Sequence, residues 1–364
     1  MIFRKLLFVL LLVSSVFASG PRNHTKPGDS KRPSFRLKRY PMGSNNVELY
    51  LSYDLLVLGK TDKISFVTLV PRTIPDRQTI SRIYYSPKPS RIFSRNGNQY
   101  AEFVFVNPKR YVKIKIKVKA ELFEYNLITA VQKGEKTPAN NLEFAEFLKQ
   151  EKYIEKDDQR IQKAANGIQG GGDIEKVLNI YDYVTDNMKY SIVNKKNLGA
   201  VNALIHGKGD CTEYSDLFVA LCRAKNIPAR VITGYRVDRN SSSPKHNWTE
   251  VYLQQYGWVP FDPSNGNSRH SAIKSRILKT GPVYFYYSHI RNDEALDNSD
   301  FYRYKYWGDK PKLGETIKFK LPASPIRRKP QIFQWSGGIF QTKRRIQPLP
   351  KNPESSSVRQ PSIQ

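Results

Sequence analysis

Gly209-Asp210-Cys211-Thr212-Glu213-Tyr214-Ser215-Asp216-Leu217-Phe218-Val219-Ala220-Leu221-Cys222-Arg223-Ala224 is the stretch on which the reading of the fold turns. A glycine-punctuated loop runs into a segment with Leu217, Leu221 and Ala224 at helical spacing, and Ile227-Pro228 stops it. Cys211 therefore opens a helix that buries this apolar face. A thiol at that position faces the positive end of the helix dipole and several unpaired N–H groups, both of which favour the nucleophilic thiolate. The loop Gly207-Lys208-Gly209-Asp210 in front of it leaves the sulfur accessible.

Downstream the period shortens. Ala229 to Val237 reads as a strand, Trp248 to Leu253 as a second and Gly257 to Phe261 as a third. His246 opens the second strand and Asp262 closes the third. The turn near Tyr256-Gly257 is short, which makes these strands antiparallel neighbours and brings His246 and Asp262 to one end of a sheet. The carboxylate is then placed to fix the imidazole tautomer. If the helix N-terminus packs across the same sheet end, the thiol meets the ring. Cys211, His246 and Asp262 follow one another as nucleophile, base and orienting acid, the order a covalent acyl-transfer site needs.

Two further segments belong with these: Ile227-Pro228-Ala229-Arg230-Val231-Ile232-Thr233-Gly234-Tyr235, and Gly257-Trp258-Val259-Pro260-Phe261-Asp262-Pro263. Together with the Cys211 stretch and His246-Asn247-Trp248, they resemble the core of the transglutaminase-like superfamily over about residues 140–287. The resemblance implies an α+β fold: a papain-like core in which the helix bearing the cysteine packs on an antiparallel sheet, with Cys211, His246 and Asp262 as catalytic triad. The superfamily includes protein cross-linkers, amide-hydrolysing enzymes and bacterial members expected to be proteases, so it defines machinery more closely than substrate. The implied substrate is a protein or peptide, and the reaction passes through a thioester on Cys211. Water as the second nucleophile makes a hydrolase and a lysine amine makes a cross-linker. Nothing in the sequence marks an amine-acceptor site, and water is abundant, which favours hydrolysis. The Cys211 backbone N–H is the expected oxyanion donor.

Other residues read more plainly. Cys222 follows Leu221 inside the helix and reads as core. A disulfide between Cys211 and Cys222 is excluded, because three helical turns separate them by about 16 Å and a bridge needs Cα atoms within about 7 Å. His206 precedes the catalytic loop and reads as a surface histidine or a wall of the cleft, while His24, His270 and His289 have no evident partner. One cysteine and one histidine without further close ligands do not make a zinc site, so no metal and no cofactor is called for. The run Gly170-Gly171-Gly172-Asp173 lacks the Lys-Ser/Thr ending of a phosphate loop and reads as a helix start, with Asp173 as N-cap.

The N-terminal half is different in kind. Val47, Leu49, Leu51 and Tyr53 alternate with polar residues, Ile64-Ser65-Phe66 begins another strand, and Asn96-Gly97 is a hairpin turn between Arg91-Ile92-Phe93 and Tyr100 to Val106. Val112, Ile114, Ile116 and Val118 alternate with Lys113, Lys115, Lys117 and Lys119. This predicts a small antiparallel β domain over residues 47–130, followed by a catalytic domain over 138–310 whose first helix is marked by Leu142, Ala145 and Leu148. The lysine stripe reads as a solvated face that resists edge pairing, with anion binding as the alternative.

The 364-residue chain carries a formal charge of +28, which points to an anionic partner. Met1-Ile2-Phe3-Arg4-Lys5, the apolar run Leu6 to Leu12 and Val16-Phe17-Ala18 have the order of a signal peptide over residues 1–18, too short to span a bilayer. Export to a periplasm or the medium makes nucleic acid an unexpected partner. It leaves anionic envelope polymers or lipid headgroups, met by the basic linker (19–46) and the basic, Pro-rich tail (311–364), where 316–321 reads as one last strand. The rival to an enzyme is thus a non-catalytic envelope-binding protein on the same fold.

Overall fold

The computed structural model describes residues 43–126, 144–192, 197–237, 244–254, 256–266 and 279–321. The expected signal peptide, nearly all of the linker, Leu142, His24, His270 and the tail after residue 321 lie outside these. The first described residues build strands β1 (Ser44–Leu56), β2 (Thr61–Val70), β3 (Gln78–Ser86), β4 (Arg91–Arg95), β5 (Asn98–Val106) and β6 (Tyr111–Phe123). Asn96 and Gly97, both at positive φ, make the two-residue turn between β4 and β5. On β6, Val112, Ile114, Ile116 and Val118 are buried, and on β1 so are Val47, Leu49, Leu51, Tyr53 and Leu55. The alternation puts each strand's apolar set on one face.

The lysine stripe faces out, and acids on the neighbouring strand pair with three of its four lysines. Lys113 lies 3.0 Å from Asp54, Lys117 3.2 Å from Glu48 and Lys119 3.3 Å from Glu48. Two carboxylates thus serve three lysines, and the stripe stays a net-positive solvent face.

The sandwich is completed by segments far away in sequence. β15 (Tyr302–Gly308) pairs antiparallel with β2, and β16 (Lys312–Lys320) with β1. The sheets run β16-β1-β6-β3 and β15-β2-β5-β4. Residues 302–320, read from sequence as the end of the core and the start of the tail, thus return to the N-terminal sheets. The last strand begins at Lys312 rather than near 316. The physical reason is edge satisfaction: β1 and β2 each have an open side whose backbone groups need a partner, and Leu313, Ile317 and Phe319 pack against the sandwich core.

Between these parts lies the core domain. It holds α1 (Gln159–Gly167), α2 (Asp173–Asn187), α3 (Gly199–His206) and α4 (Cys211–Ala224) beside a sheet of β10 (Ala229–Arg236), β11 (Lys245–Leu253), β12 (Gly257–Phe261) and β14 (Tyr284–Ser288), in the order β12-β11-β10-β14. Two short pairs complete it: β7 (Tyr125–Asn126) with β13 (Lys279–Thr280), and β8 (Lys189–Tyr190) with β9 (Lys208–Gly209). Phe144 and Ala145 are helical and the chain leaves the helix through turns at 146–148, where the sequence suggested a first helix; its start, with Leu142, lies outside the described residues. The first helix lying wholly within the described residues is α1, capped by the Asp158 side chain on the Arg160 N–H. Gly172, not Asp173, is the N-cap of α2, and Asp173 adds its charge to the first turn.

α4 is buried from Thr212 to Arg223, not on one face only. One side packs on Val231, Val251, Val259 and Phe261 of the sheet, and the others meet α1, α2 and α3. Its polar residues are satisfied internally: Arg291 donates to Asp216 at 2.7 and 3.1 Å, and Arg223 to the Ala229 carbonyl at 2.9 Å. On the far side of the sheet, Tyr235, Phe285 and Tyr287 join the sandwich core. Arg77 reaches across to Glu250 at 2.9 Å.

Candidate active site

The motif around Cys211 has a local physical reason for each residue. Asp210 is the N-cap of α4 and accepts from the Thr212 N–H at 2.8 Å, while Glu213 reaches back to the Asp210 N–H at 3.1 Å, completing a capping box. Glu213 also takes the Leu198 N–H at 3.2 Å, tying α3 to the loop before Cys211. A Cβ at position 209 would stand 2.3 Å from the Glu213 Cβ, so only glycine lets the glutamate fold over the loop. Cys211 is left as the first helical residue, partly exposed. Cys222 is buried, and burial pushes its thiol up.

His246 and Asp262 meet as the strand order implies. The His246 Nε2 lies 2.7 Å from Asp262 Oδ2, and Cys211 is the other neighbour that favours the charged ring. Since Nε2 faces the carboxylate, Nδ1 is the nitrogen left for the sulfur. Burial opposes charge on the ring, but Asp262 and Cys211 outweigh it and push His246 up to about 10. Burial likewise raises Asp262, and His246, Tyr284 and Ser264 overcome it to hold the carboxyl at about 2.

Several supporting residues carry no sequence signal of their own. Tyr284 donates to Asp262 Oδ2 and Ser264 to Oδ1, each at 2.7 Å. Asn265 also donates to Oδ2, and it accepts from Arg236 at 2.7 Å. Asp262 is thus fully solvated by side chains from a 3₁₀ turn (Pro263–Asn265) and β14. Asn247 ties the histidine strand to the cysteine helix, donating to Thr212 Oγ1 at 3.0 Å while its own oxygen accepts from Thr233 at 3.0 Å. Trp248 stacks on His246 with ring centroids 6.0 Å apart at 21°, and Trp258 stands away from the ring, under Arg230 at 3.9 Å.

Tyr190 forms a wall beside the sulfur. The β8–β9 pair sets it opposite Gly209, and the Ser191 N–H donates to the Gly209 carbonyl at 2.9 Å. Burial, with Cys211, Asp210 and Asp262 close by, pushes its hydroxyl up to about 12. His206 ends α3. His289 sits beyond the other end of β10, away from this cluster, where burial with Arg230 and Arg72 holds it down at about 3.

A helix that presents a cysteine at its first turn to a histidine and an aspartate on an antiparallel sheet defines the papain-like arrangement. Residues 162–263 match the family model of the transglutaminase-like superfamily, and this part of the chain is a transglutaminase-like core. A crystal structure of a Cytophaga hutchinsonii protein, proposed to be a cysteine protease, superposes with a TM-score of 0.54 at 20% identity, covering 80% of this chain and 95% of that one. It shares the fold through the sandwich as well as the core. YebA of Bacillus subtilis is 32% identical over 84 residues, 20% of this chain and 11% of YebA. A Drosophila melanogaster peptide-N(4)-(N-acetyl-beta-glucosaminyl)asparagine amidase is 40% identical over 62 residues, 17% of this chain and 9% of the amidase. The chain therefore spans about a tenth of either curated relative.

Proposed function

We propose that this protein is a cysteine-dependent amide hydrolase or acyltransferase acting on peptide or isopeptide bonds, with Cys211 as nucleophile, His246 as acid and base, and Asp262 as orienting carboxylate. The observation that carries the reading is His246 held between two partners, Asp262 at 2.7 Å and Cys211 on its other side. A ring raised to about 10 is charged at neutral pH, so it stands as imidazolium beside the sulfur.

The sulfur attacks the carbonyl carbon, and the C=O electron pair moves to oxygen. The Cys211 N–H, one of the first-turn donors without an intrahelical acceptor, is the proposed oxyanion contact. As the C–N bond breaks, imidazolium gives its proton to the departing amine and a thioester remains. The neutral ring then takes a proton from water, or from an amine, as that nucleophile attacks the thioester and releases the sulfur. Asp262 stays ionised throughout and stabilises the ring each time it is charged.

Cleavage is favoured over cross-linking because water is abundant and, among the described residues, no feature marks a site for an amine acceptor. The peptide nature of the substrate is supported by the similarity to the amidase and to the Cytophaga hutchinsonii protein, and export by the sequence of residues 1–18. The test is to incubate the protein with a peptide mixture, quench with acid and sequence what is bound to Cys211. An acyl group on Cys211, absent from Cys211→Ser, is expected. No adduct across a broad mixture, with the protein folded, would contradict the proposal.

A further inference from the structure

A cleft of about 880 Å3 lies where the sandwich loops meet the end of the core sheet remote from the triad. Arg230 and Glu250 are paired there, four residues along the strands from the Gly234 and His246 pair, a separation of about 13 Å. The cleft is lined by Arg72, Phe147, Lys152, Arg230, His289 and Asn292 among others.

Its charges do not balance. Glu250 is engaged by Arg77 at 2.9 Å and by Arg230 at 2.7 Å. Arg72 shares this neighbourhood, and burial and the Arg230 charge push its guanidinium down. Three guanidiniums thus stand around one carboxylate. His289, held at about 3, stays neutral and adds no charge.

The acids at the rim are already matched. Glu146 lies 2.8 Å from Lys149, Glu151 2.7 Å from Arg223 and Glu294 2.6 Å from Arg95. Asp293 accepts from Tyr100 at 2.7 Å and from the Ala295 N–H at 2.9 Å. Among the described residues, Arg72 and Lys152 have no carboxylate within ion-pair distance. Asn292 donates to Glu151 at 3.2 Å and to the Lys152 carbonyl at 2.8 Å, while its Oδ1 is buried without a partner.

We propose that this cleft binds the free C-terminal carboxylate of a peptide, Arg72 pairing with the carboxylate and Asn292 Oδ1 accepting from a peptide N–H. One unmatched guanidinium plus one unsatisfied buried acceptor is the complement of a carboxylate joined to an amide. Phosphate brings no N–H for the Asn292 acceptor, whereas a peptide carboxylate comes with one. Phe147 supplies an apolar wall for a side chain. The site is separate from the triad, so it would hold a peptide end while Cys211 remains free.

The experiment is calorimetric titration of the full chain with acetyl-Gly-Ala-Ala carrying a free carboxylate, with its C-terminal amide and with inorganic phosphate. Cys211 is first alkylated with iodoacetamide to exclude the catalytic groove. The free acid is expected to bind at least tenfold more tightly than the amide and than phosphate, and Arg72→Gln should weaken it at least tenfold. Equal binding of acid and amide, tighter binding of phosphate, or binding that survives unchanged in Arg72→Gln would overturn the proposal. So would binding seen only before alkylation, since the peptide would then sit at Cys211. If Arg72→Gln fails to fold, the comparison of acid with amide on the unsubstituted chain decides alone.

Discussion

Replacing Asp262 with asparagine keeps a hydrogen-bonding side chain opposite His246 and removes the charge. The ring is raised from 6.5 to about 10. At about 1.4 kcal/mol per pH unit, the difference of 3.5 makes the charged ring about 5 kcal/mol more favourable in the folded protein than in the unfolded chain. Asp262 is the largest contributor on the favourable side, with Cys211 next. Taking a sizeable part of that away should lower the His246 midpoint by about 2 pH units and destabilise the fold by about 3 kcal/mol, the range for breaking one side of a buried pair. The sign follows from each group. A raised histidine gives stability that is complete below 6.5 and lost as pH rises through about 10; a lowered carboxyl gives stability that is complete above 3.8 and lost as pH falls through about 2. Both are present in full between about pH 4 and 6.5. The variant should therefore differ most from the parent near pH 5.5 and little above pH 10. The assay is NMR titration of the His246 ring proton from pH 5 to 11, with urea unfolding at pH 5.5 and 10.5. An unchanged midpoint in Asp262→Asn would refute the reasoning.

Asn247→Ala removes both the Thr212 and Thr233 contacts. It should destabilise the fold by about 1–3 kcal/mol in urea unfolding and slow acylation of Cys211 by at least tenfold, with the His246 midpoint preserved. Gly209→Ala places a methyl 2.3 Å from the Glu213 Cβ; the displaced capping box should lower stability by about 1–3 kcal/mol, measured by the same unfolding. Glu250→Ala strands Arg77 and Arg230 where the sandwich meets the core and should cost about 3–5 kcal/mol, measured by thermal and urea unfolding together.

What the sequence made legible was local. The helix at Cys211, the strands flanking His246 and Asp262, and the alternating strands β1 and β6 all declare themselves through period, turn residues and caps. β14 did not: Tyr284-Phe285-Tyr286-Tyr287-Ser288 is a short apolar run without alternation, because it is covered on both faces. β15 and β16 escaped as sandwich strands because their partners lie over two hundred residues earlier, as with Leu51 opposite Ile317, and no local pattern encodes that pairing. The single apolar face assigned to α4 failed because its polar residues are buried through specific partners, such as Asp216 with Arg291. The meeting of His246 with Asp262 was readable because each ends or begins an element. Tyr284, Asn265 and Asn247 were not, since their contribution lies in contacts made only after the strands, the 3₁₀ turn and the helix pack.

The central claim is that Cys211 is activated by the ring its helix presents it to, and it can be tested without knowing any substrate. The measurement is the rate of iodoacetamide labelling at pH 6, resolved by peptide mass spectrometry, in the parent protein and in His246→Ala. Cys211 should be labelled at least tenfold faster in the parent than in the variant, with Cys222 unlabelled in both while the fold persists. Equal rates at Cys211 in the two folded proteins would contradict the account.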